Sequence, residues 1–424
     1  MLTFLWKFTV FYVFYTSGFL SNYVTFEDEA NIPAIAKYFN TKGRYEEVNP
    51  YLREDILAVN RSILQPPLDE CQQIHLTAII RHGTRYPTTK NIKEMQQLYN
   101  TDMDGRLVQK GVDELKHLAV RLSKLFPSLI SEEKLRGGFI KFITSSKHRC
   151  VNSTLSFKAG LTELWDIKDV EFDHAVNDAL MRFFDKCTRF VEEVDNNPSA
   201  VTEVEKFKQG PEMRRVQQKI ADILNVPYSS ITYDVAEAAF YLCAYEFAIR
   251  SVKSPWCELF DKDDAKVIEY ASDLREFWKR GYGHDINSKA SCILFHDVFS
   301  RMDKTATQNK LGQQVTEAVT VQVGHADTLL PLLTLLGFFN DSEPLTSTNY
   351  AAQAHPNLLL VLSDCGGGDL RLQPLLNEKP VTFPGLTDRS SMPLHRDVLE
   401  HYRDLLQGCD FETECQQFKQ PAKV

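Results

Sequence analysis

Apolar and polar positions along this chain alternate between two rhythms. Short apolar runs rich in β-branched residues predict strands at 73–80, 139–144, 318–324 and 357–362. A helical period follows the first run. Leu115, Leu118, Ala119, Leu122 and Phe126 recur along one face of 112–126, and Pro127 stops it. A helix start is expected after 145–149, and an apolar helix from Thr328 to Leu336. Strand followed by helix is the unit of a parallel α/β sheet. Between 166 and 300 the strand signal fades, and helical segments with frequent aromatics take over. The expectation is α/β: a mainly parallel sheet domain from 22–165 and 301–424, with a mostly α cap, 166–300, inserted between its halves. Such a cap can cover a site and shape its specificity.

Polar residues gather where the strands end. The first run stops abruptly in Arg81-His82-Gly83-Thr84-Arg85-Tyr86-Pro87. Ligands of open α/β sheets bind outside the carboxyl ends of the strands. Arg81 and Arg85 can fork onto phosphate oxygens. A histidine between two guanidiniums is pushed toward its neutral, nucleophilic form, so His82 is the candidate nucleophile for attack on a phosphoryl group. Gly83 is read as the point where the backbone bends close to the ligand. The second run ends in Ser145-Ser146-Lys147-His148-Arg149, which again sets cations beyond a strand. Lys147 is a candidate substrate contact. The third ends in His325-Ala326-Asp327. His325 can hydrogen-bond a transferring phosphoryl group, and Asp327 can protonate the leaving oxygen and then activate water. A helix cap is the competing role for Asp327.

Charge and composition narrow the function further. A net charge of −9 over 424 residues argues against a nucleic-acid binder, so an anionic substrate needs a locally basic pocket. Residues 1–21 carry one lysine before an apolar tract and then Ser17, Gly18 and Ser21, as in a secretory signal peptide. An uncleaved anchor is the alternative, and the one route to a membrane. Sequons at Asn60, Asn152 and Asn340, nine cysteines without a Cys-x-x-Cys pair, and a carboxyl end without an ER-retention signal fit the secretory pathway. The expected destinations are extracellular or a lysosomal or endosomal lumen. Residues 100–105 imitate the start of a calcium loop, but its twelfth position is Gly111, where a bidentate Glu is needed. A turn is expected there, and no metal or cofactor is implied.

The motif Arg-His-Gly-x-Arg-x-Pro resembles the signature of the histidine phosphatase superfamily, in its acid phosphatase and phytase branch. Further blocks at 44–50, 145–150, 181–185, 253–261, 278–283, 324–333, 375–379 and 405–409 resemble the multiple inositol polyphosphate phosphatases. The resemblance implies a sheet domain with an α cap, and a third phosphate-binding arginine at Arg149. It implies stepwise hydrolysis of inositol hexakisphosphate and lower phosphates, with 3-phosphatase activity on 2,3-bisphosphoglycerate. It also implies disulfides Cys71–Cys365 and Cys243–Cys257, while spacing suggests Cys409–Cys415 as a local pair; Cys150, Cys187 and Cys292 stay unassigned. Two departures stand out. Asp327 occupies a position where the family commonly has Glu, and the connection from Tyr350 to residue 357 is short. The competing functions are a broad-specificity acid phosphatase, a mutase of the same superfamily and a catalytically weak phosphate-ligand binder.

Overall fold

The computed structural model describes residues 31–64, 71–88, 104–340 and 357–416. The amino-terminal apolar segment, most of the calcium-like turn and the short connection before residue 357 lie outside the described residues. The strands are β1 (Gln72–Arg81), β2 (Ile140–Thr144), β3 (Ala175–Val176), β4 (Val319–Gly324), β5 (Asn357–Asp364), β6 (Leu370–Leu376) and β7 (Lys379–Pro380). They form one sheet in the order β3-β2-β4-β1-β5-β6-β7.

β3, β2, β4 and β1 are parallel, whereas β5, β6 and β7 are antiparallel to their neighbours. The sheet expected to be mainly parallel is thus antiparallel across its other half. Turn chemistry explains the reversal. Between β5 and β6, Gly366, Gly367 and Gly368 all adopt positive φ, which glycine reaches without a Cβ penalty. Between β6 and β7, Asn377 and Glu378 both have positive φ, the two-residue turn that suits hairpin twist. β5 itself runs against β1, with Gln72 opposite Asp364. That register brings Cys71 beside Cys365, and the two are bonded; a parallel pairing would have put them at opposite ends.

The longer helices are α1 (Gln109–Leu125), α2 (His148–Leu164), α3 (Pro211–Leu224), α4 (Tyr233–Arg250), α5 (Lys262–Arg280), α6 (Cys292–Lys310) and α7 (Ala326–Leu335). Helices cover both sheet faces, so β1 reads as a nearly continuous apolar run. Leu76, Ala78 and Ile80 point to the face packed by α1 and α2. Ile79 points the other way, into a core shared with α6 and α7. A third core joins α3, α4 and α5 to Ile35, Ala36, Tyr38 and Phe39 from the start of the chain. The region 166–300 is therefore divided. Its middle has this third core, while Leu180, Met181, Phe183 and Phe190 before it, and Ile286 to Phe299 after it, share the core of the sheet.

Cys243 is bonded to Cys257 within the helical part. The local pair Cys409–Cys415 is not formed. Cys409 is bonded to Cys292 and Cys415 to Cys187. Asp410 caps the short helix Phe411–Cys415 by accepting from the Thr413 backbone, and that helix carries Cys415 away from Cys409 toward a different partner. Cys150 is buried and free.

A buried ion pair ties the start of the chain to the sheet. Arg121 of α1 donates from Nε to Glu378 Oε2 at 2.9 Å and from Nη2 to Oε1 at 2.8 Å. Tyr45 donates to the same carboxylate at 2.6 Å, and Arg121 Nη1 to the Ile56 carbonyl at 2.9 Å. Both ionic side chains are almost fully buried. Removing one partner of such a pair strands the other charge, at a cost of about 3–5 kcal/mol. Glu378→Gly, which suits the positive φ, is expected to lower the unfolding free energy by about that much in urea denaturation. A loss below about 1 kcal/mol would show that the pair contributes little.

Candidate active site

Register builds the site. Arg81 at the end of β1 pairs with Gly324 at the end of β4, and Thr144 at the end of β2 pairs with Val323. Three polar strand ends consequently emerge side by side. The His82 backbone N–H donates to the Gly324 carbonyl at 3.0 Å and that of Ser145 to Val323 at 3.2 Å. The His82 and His325 rings meet edge to face with centroids 5.6 Å apart.

His82 is buried, and its Nδ1 lies 2.9 Å from the Gly83 carbonyl. A carbonyl only accepts, so the ring proton sits on Nδ1 and the Nε2 lone pair is left for attack. Burial first, then the charges of Arg81 and Arg149, hold this imidazole well below its ordinary pKa. It stays neutral well into the acid range, the form in which an imidazole can act as a nucleophile.

Gly83 serves the site by packing. Its φ is not positive, and a Cβ there would come within 2.5 Å of the Gly111 carbonyl and 2.7 Å of Leu115. Gly111 is equally close to Thr84. Two facing glycines let the motif loop press onto the first turn of α1. Glu114 of that helix then clasps Thr84, accepting from its backbone N–H and its hydroxyl, both at 2.8 Å.

Arg81, Arg85 and Arg149 converge on the same cavity. Each has some donors satisfied: Arg81 bonds the Thr41 carbonyl, Arg85 the Tyr86 carbonyl and Arg149 the His325 ring. Each also has a buried Nε without a partner. Unsatisfied buried donors are expensive, and three on adjacent guanidiniums mark a place prepared for an oxyanion. Burial lowers the pKa of Arg81 to about 10, with Arg85 adding to the effect.

His325 and Asp327 are both at the cavity wall, but each is already engaged. His325 Nδ1 faces Arg149 Nη2 at 3.3 Å, and its Nε2 lies 2.9 Å from Ser145 Oγ. Guanidinium only donates, so Nδ1 accepts and Nε2 carries the proton. Burial and then Arg149 push this imidazole down to about 3. In this arrangement His325 orients Arg149. Asp327 is bonded by Arg280, whose Nε donates to Oδ1 at 2.5 Å. Burial opposes the charge on Asp327, but Arg280 and then His325 outweigh it and hold the carboxyl at about 2. Lys147 is exposed at the start of α2 and is not among the residues lining the cavity.

Sequence reasoning missed a whole wall. Arg275, Glu276, Lys279 and Arg280 come from the last turns of α5, and Thr41, Lys42 and Gly43 from the start of the chain. The signal was helical spacing: residues 275/279 and 276/280 share one face. The Lys42 ammonium sits 3.9 Å from the Tyr241 ring centroid, and burial, then Arg275, brings its pKa down to about 7. Together the cavity is lined by seven Lys and Arg against four Asp and Glu, in a protein of net charge −9.

The chain is similar to known proteins in sequence and in fold. The family described as histidine phosphatase superfamily (branch 2) matches residues 74–359. Multiple inositol polyphosphate phosphatase 1 of Homo sapiens is 41% identical over 90% of this chain and 89% of its own length. That of Gallus gallus is 41% identical over 89% of this chain and 92% of its own. Among solved structures, the phytase from D. castellii superposes with TM-score 0.71 at 14% identity, covering 90% of this chain and 87% of that one. A Bifidobacterium longum multiple inositol polyphosphate phosphatase, solved in complex with inositol hexasulfate, gives 0.67 at 14% identity over 88% and 98%. With its signature on β1 and this extent of identity, the chain belongs to branch 2 of the histidine phosphatase superfamily, among the multiple inositol polyphosphate phosphatases.

Proposed function

We propose that this protein hydrolyses phosphomonoesters of inositol polyphosphates, inositol hexakisphosphate and its lower products among them, through a phosphohistidine intermediate. The observation that carries the substrate class is the second cationic wall. Arg81, Arg85 and Arg149 suffice for the phosphate that reacts. Lys42, Arg275, Lys279 and Arg280 line the same cavity; Arg275, Lys279 and Arg280 are paired with Glu237, Asp195 and Asp327, and further anionic groups of the same molecule can compete with those carboxylates for them. A simple phosphomonoester brings no second anion to draw on that wall. 2,3-Bisphosphoglycerate carries a second phosphate and is a smaller candidate substrate.

The residues divide the work as follows. Arg81, Arg85 and Arg149 hold the non-bridging oxygens and neutralise charge as the phosphoryl group transfers. His82 Nε2 attacks phosphorus, the P–O bond to inositol breaks, and Asp327 gives its proton to the departing oxygen. Water then attacks the phosphohistidine while Asp327 takes a proton from it. The P–N bond breaks, inorganic phosphate leaves, and His82 returns to its starting state. His325 acts by aiming Arg149.

Four disulfides match an oxidising compartment, as in the secretory pathway, and no helix among the described residues is long and apolar enough to cross a membrane. Passage through that pathway to the outside, or to a lysosomal or endosomal lumen, is part of the same proposal. Asn60 is exposed and open to glycosylation, whereas the Asn152 amide lies within α2 and donates to the His148 carbonyl.

Incubation with inositol hexakisphosphate, resolved by ion chromatography, is expected to give a ladder of lower inositol phosphates. The kcat/KM should exceed that for p-nitrophenyl phosphate. Preference for the aryl ester would indicate a broad acid phosphatase, and ligand retention without phosphate release a binding protein.

Asp327→Asn provides a second test. The acid's contribution, typically ~10²–10⁴-fold, matters only for a poor leaving group. In single turnover, phosphorylation by an inositol phosphate should slow by about that factor, while phosphorylation by p-nitrophenyl phosphate stays within a few-fold. Equal slowing of both would leave Asp327 as the ion-pair partner of Arg280 in the first turn of α7, whose cap is His325.

A further inference from the structure

Asp327 is asked to give a proton, yet it is held as a carboxylate. Arg280, the last residue of α5, does the holding: its Nε donates to Asp327 Oδ1 and its Nη2 lies 2.5 Å from the same oxygen. Arg280 Nη1 is meanwhile bonded to Glu276 Oε2 at 2.6 Å. All three side chains line the cavity. The Asp327 and Arg280 side chains keep 33% and 21% of their surface open, so an entering anion reaches both. The other charges facing Asp327 are Arg149 of α2, Arg81 of β1, Asp185 from the segment after β3, and His325 beside it. Of these groups, Arg280 is the one whose side-chain donors are bonded to the carboxylate.

We propose that Arg280 is a substrate-operated latch: a phosphate next to the reacting one draws its guanidinium off Asp327, and the freed carboxyl takes up a proton and becomes the acid. This rests on polyphosphates as substrate and on Asp327 as donor. A phosphate dianion offers the fork more charge and more acceptor oxygens than one carboxylate, so the exchange is favourable. Losing the guanidinium raises the carboxyl pKa, and the negative charge of the arriving phosphate raises it further. The proton comes from solvent. It passes to the inositol oxygen as the P–O bond breaks, and the carboxylate recovers a proton from the water that hydrolyses phosphohistidine. When inorganic phosphate and the lower inositol phosphate leave, the carboxyl returns that proton to solvent and Arg280 closes on the Asp327 carboxylate again. A substrate with one phosphate has nothing to open the latch, so selectivity for polyphosphates arises at the chemical step as well as in binding.

The test is the pH dependence of kcat/KM for inositol hexakisphosphate and for an inositol monophosphate, in the native enzyme, Arg280→Gln and Arg280→Lys. In the native enzyme the loss of activity toward alkali should begin at lower pH for the monophosphate, by about one unit or more. Arg280→Gln should move the monophosphate limb up by about one to two units and raise its rate. The same change should cut kcat/KM for the hexakisphosphate by about tenfold through the lost phosphate contact. Arg280→Lys, which keeps a charge without the fork, should fall between. Coincident limbs in the native enzyme, or variants that slow both substrates equally with unmoved limbs, would overturn the latch. Should Arg280→Gln fail to fold, Arg280→Lys and the native comparison decide. A native enzyme that hydrolyses the monophosphate and leaves the hexakisphosphate intact would refute the substrate reading alone. The monophosphate limb in the variants would still judge the latch.

Discussion

Everything in this protein answers to the placing of uncompensated positive charge at the ends of three parallel strands. Arg81 and His82 close β1, Ser145 and Arg149 follow β2, and His325 follows β4. The pairings Arg81 with Gly324 and Thr144 with Val323 set them in one row. Three guanidiniums so close repel one another, and each keeps a buried donor without a partner. Such a cluster is tolerable only where the rest of the fold supplies the stability, and it becomes favourable when an oxyanion arrives. Burial and the same charges keep His82 neutral, so the arrangement that builds the basic pocket also prepares the candidate nucleophile.

Stability comes from elsewhere in the molecule. Both sheet faces are buried under helices, and three of the four disulfides close long stretches of chain. Arg121 and Glu378 neutralise each other in the core. Facing glycines at 83 and 111 carry the rigidity of α1 into the motif loop. A loop held that tightly keeps the imidazole and the guanidiniums in fixed geometry, which is where much of an enzyme's advantage lies.

How much of this the sequence disclosed follows from the range of each signal. β1, β2 and β4 were legible because buried parallel strands are continuous apolar runs, and the polar residues ending them stood out by contrast. The run at 357–362 was legible as a strand too, but its antiparallel direction was not, because direction is set by turns such as Gly366–Gly368 and by a distant pairing, neither of which appears in periodicity. Gly83 was visible, but its reason, the backbone of Gly111, is a tertiary contact. Cys409 and Cys415 are near in sequence, yet a capped helix turns them apart. The wall formed by Arg275, Lys279 and Arg280 lay in plain sight on one helix face. Nothing in the sequence told which cavity that face would line, nor that Arg280 would clasp Asp327.

The central claim is that His82 carries the phosphoryl group. Rapid mixing with inositol hexakisphosphate labelled with ³²P, followed by a denaturing quench, tests it most directly. Label should appear on the protein at His82, survive alkali, be released by acid, and be absent from His82→Ala. Native turnover with no label on the protein, or label on a carboxylate that survives acid, would contradict the account.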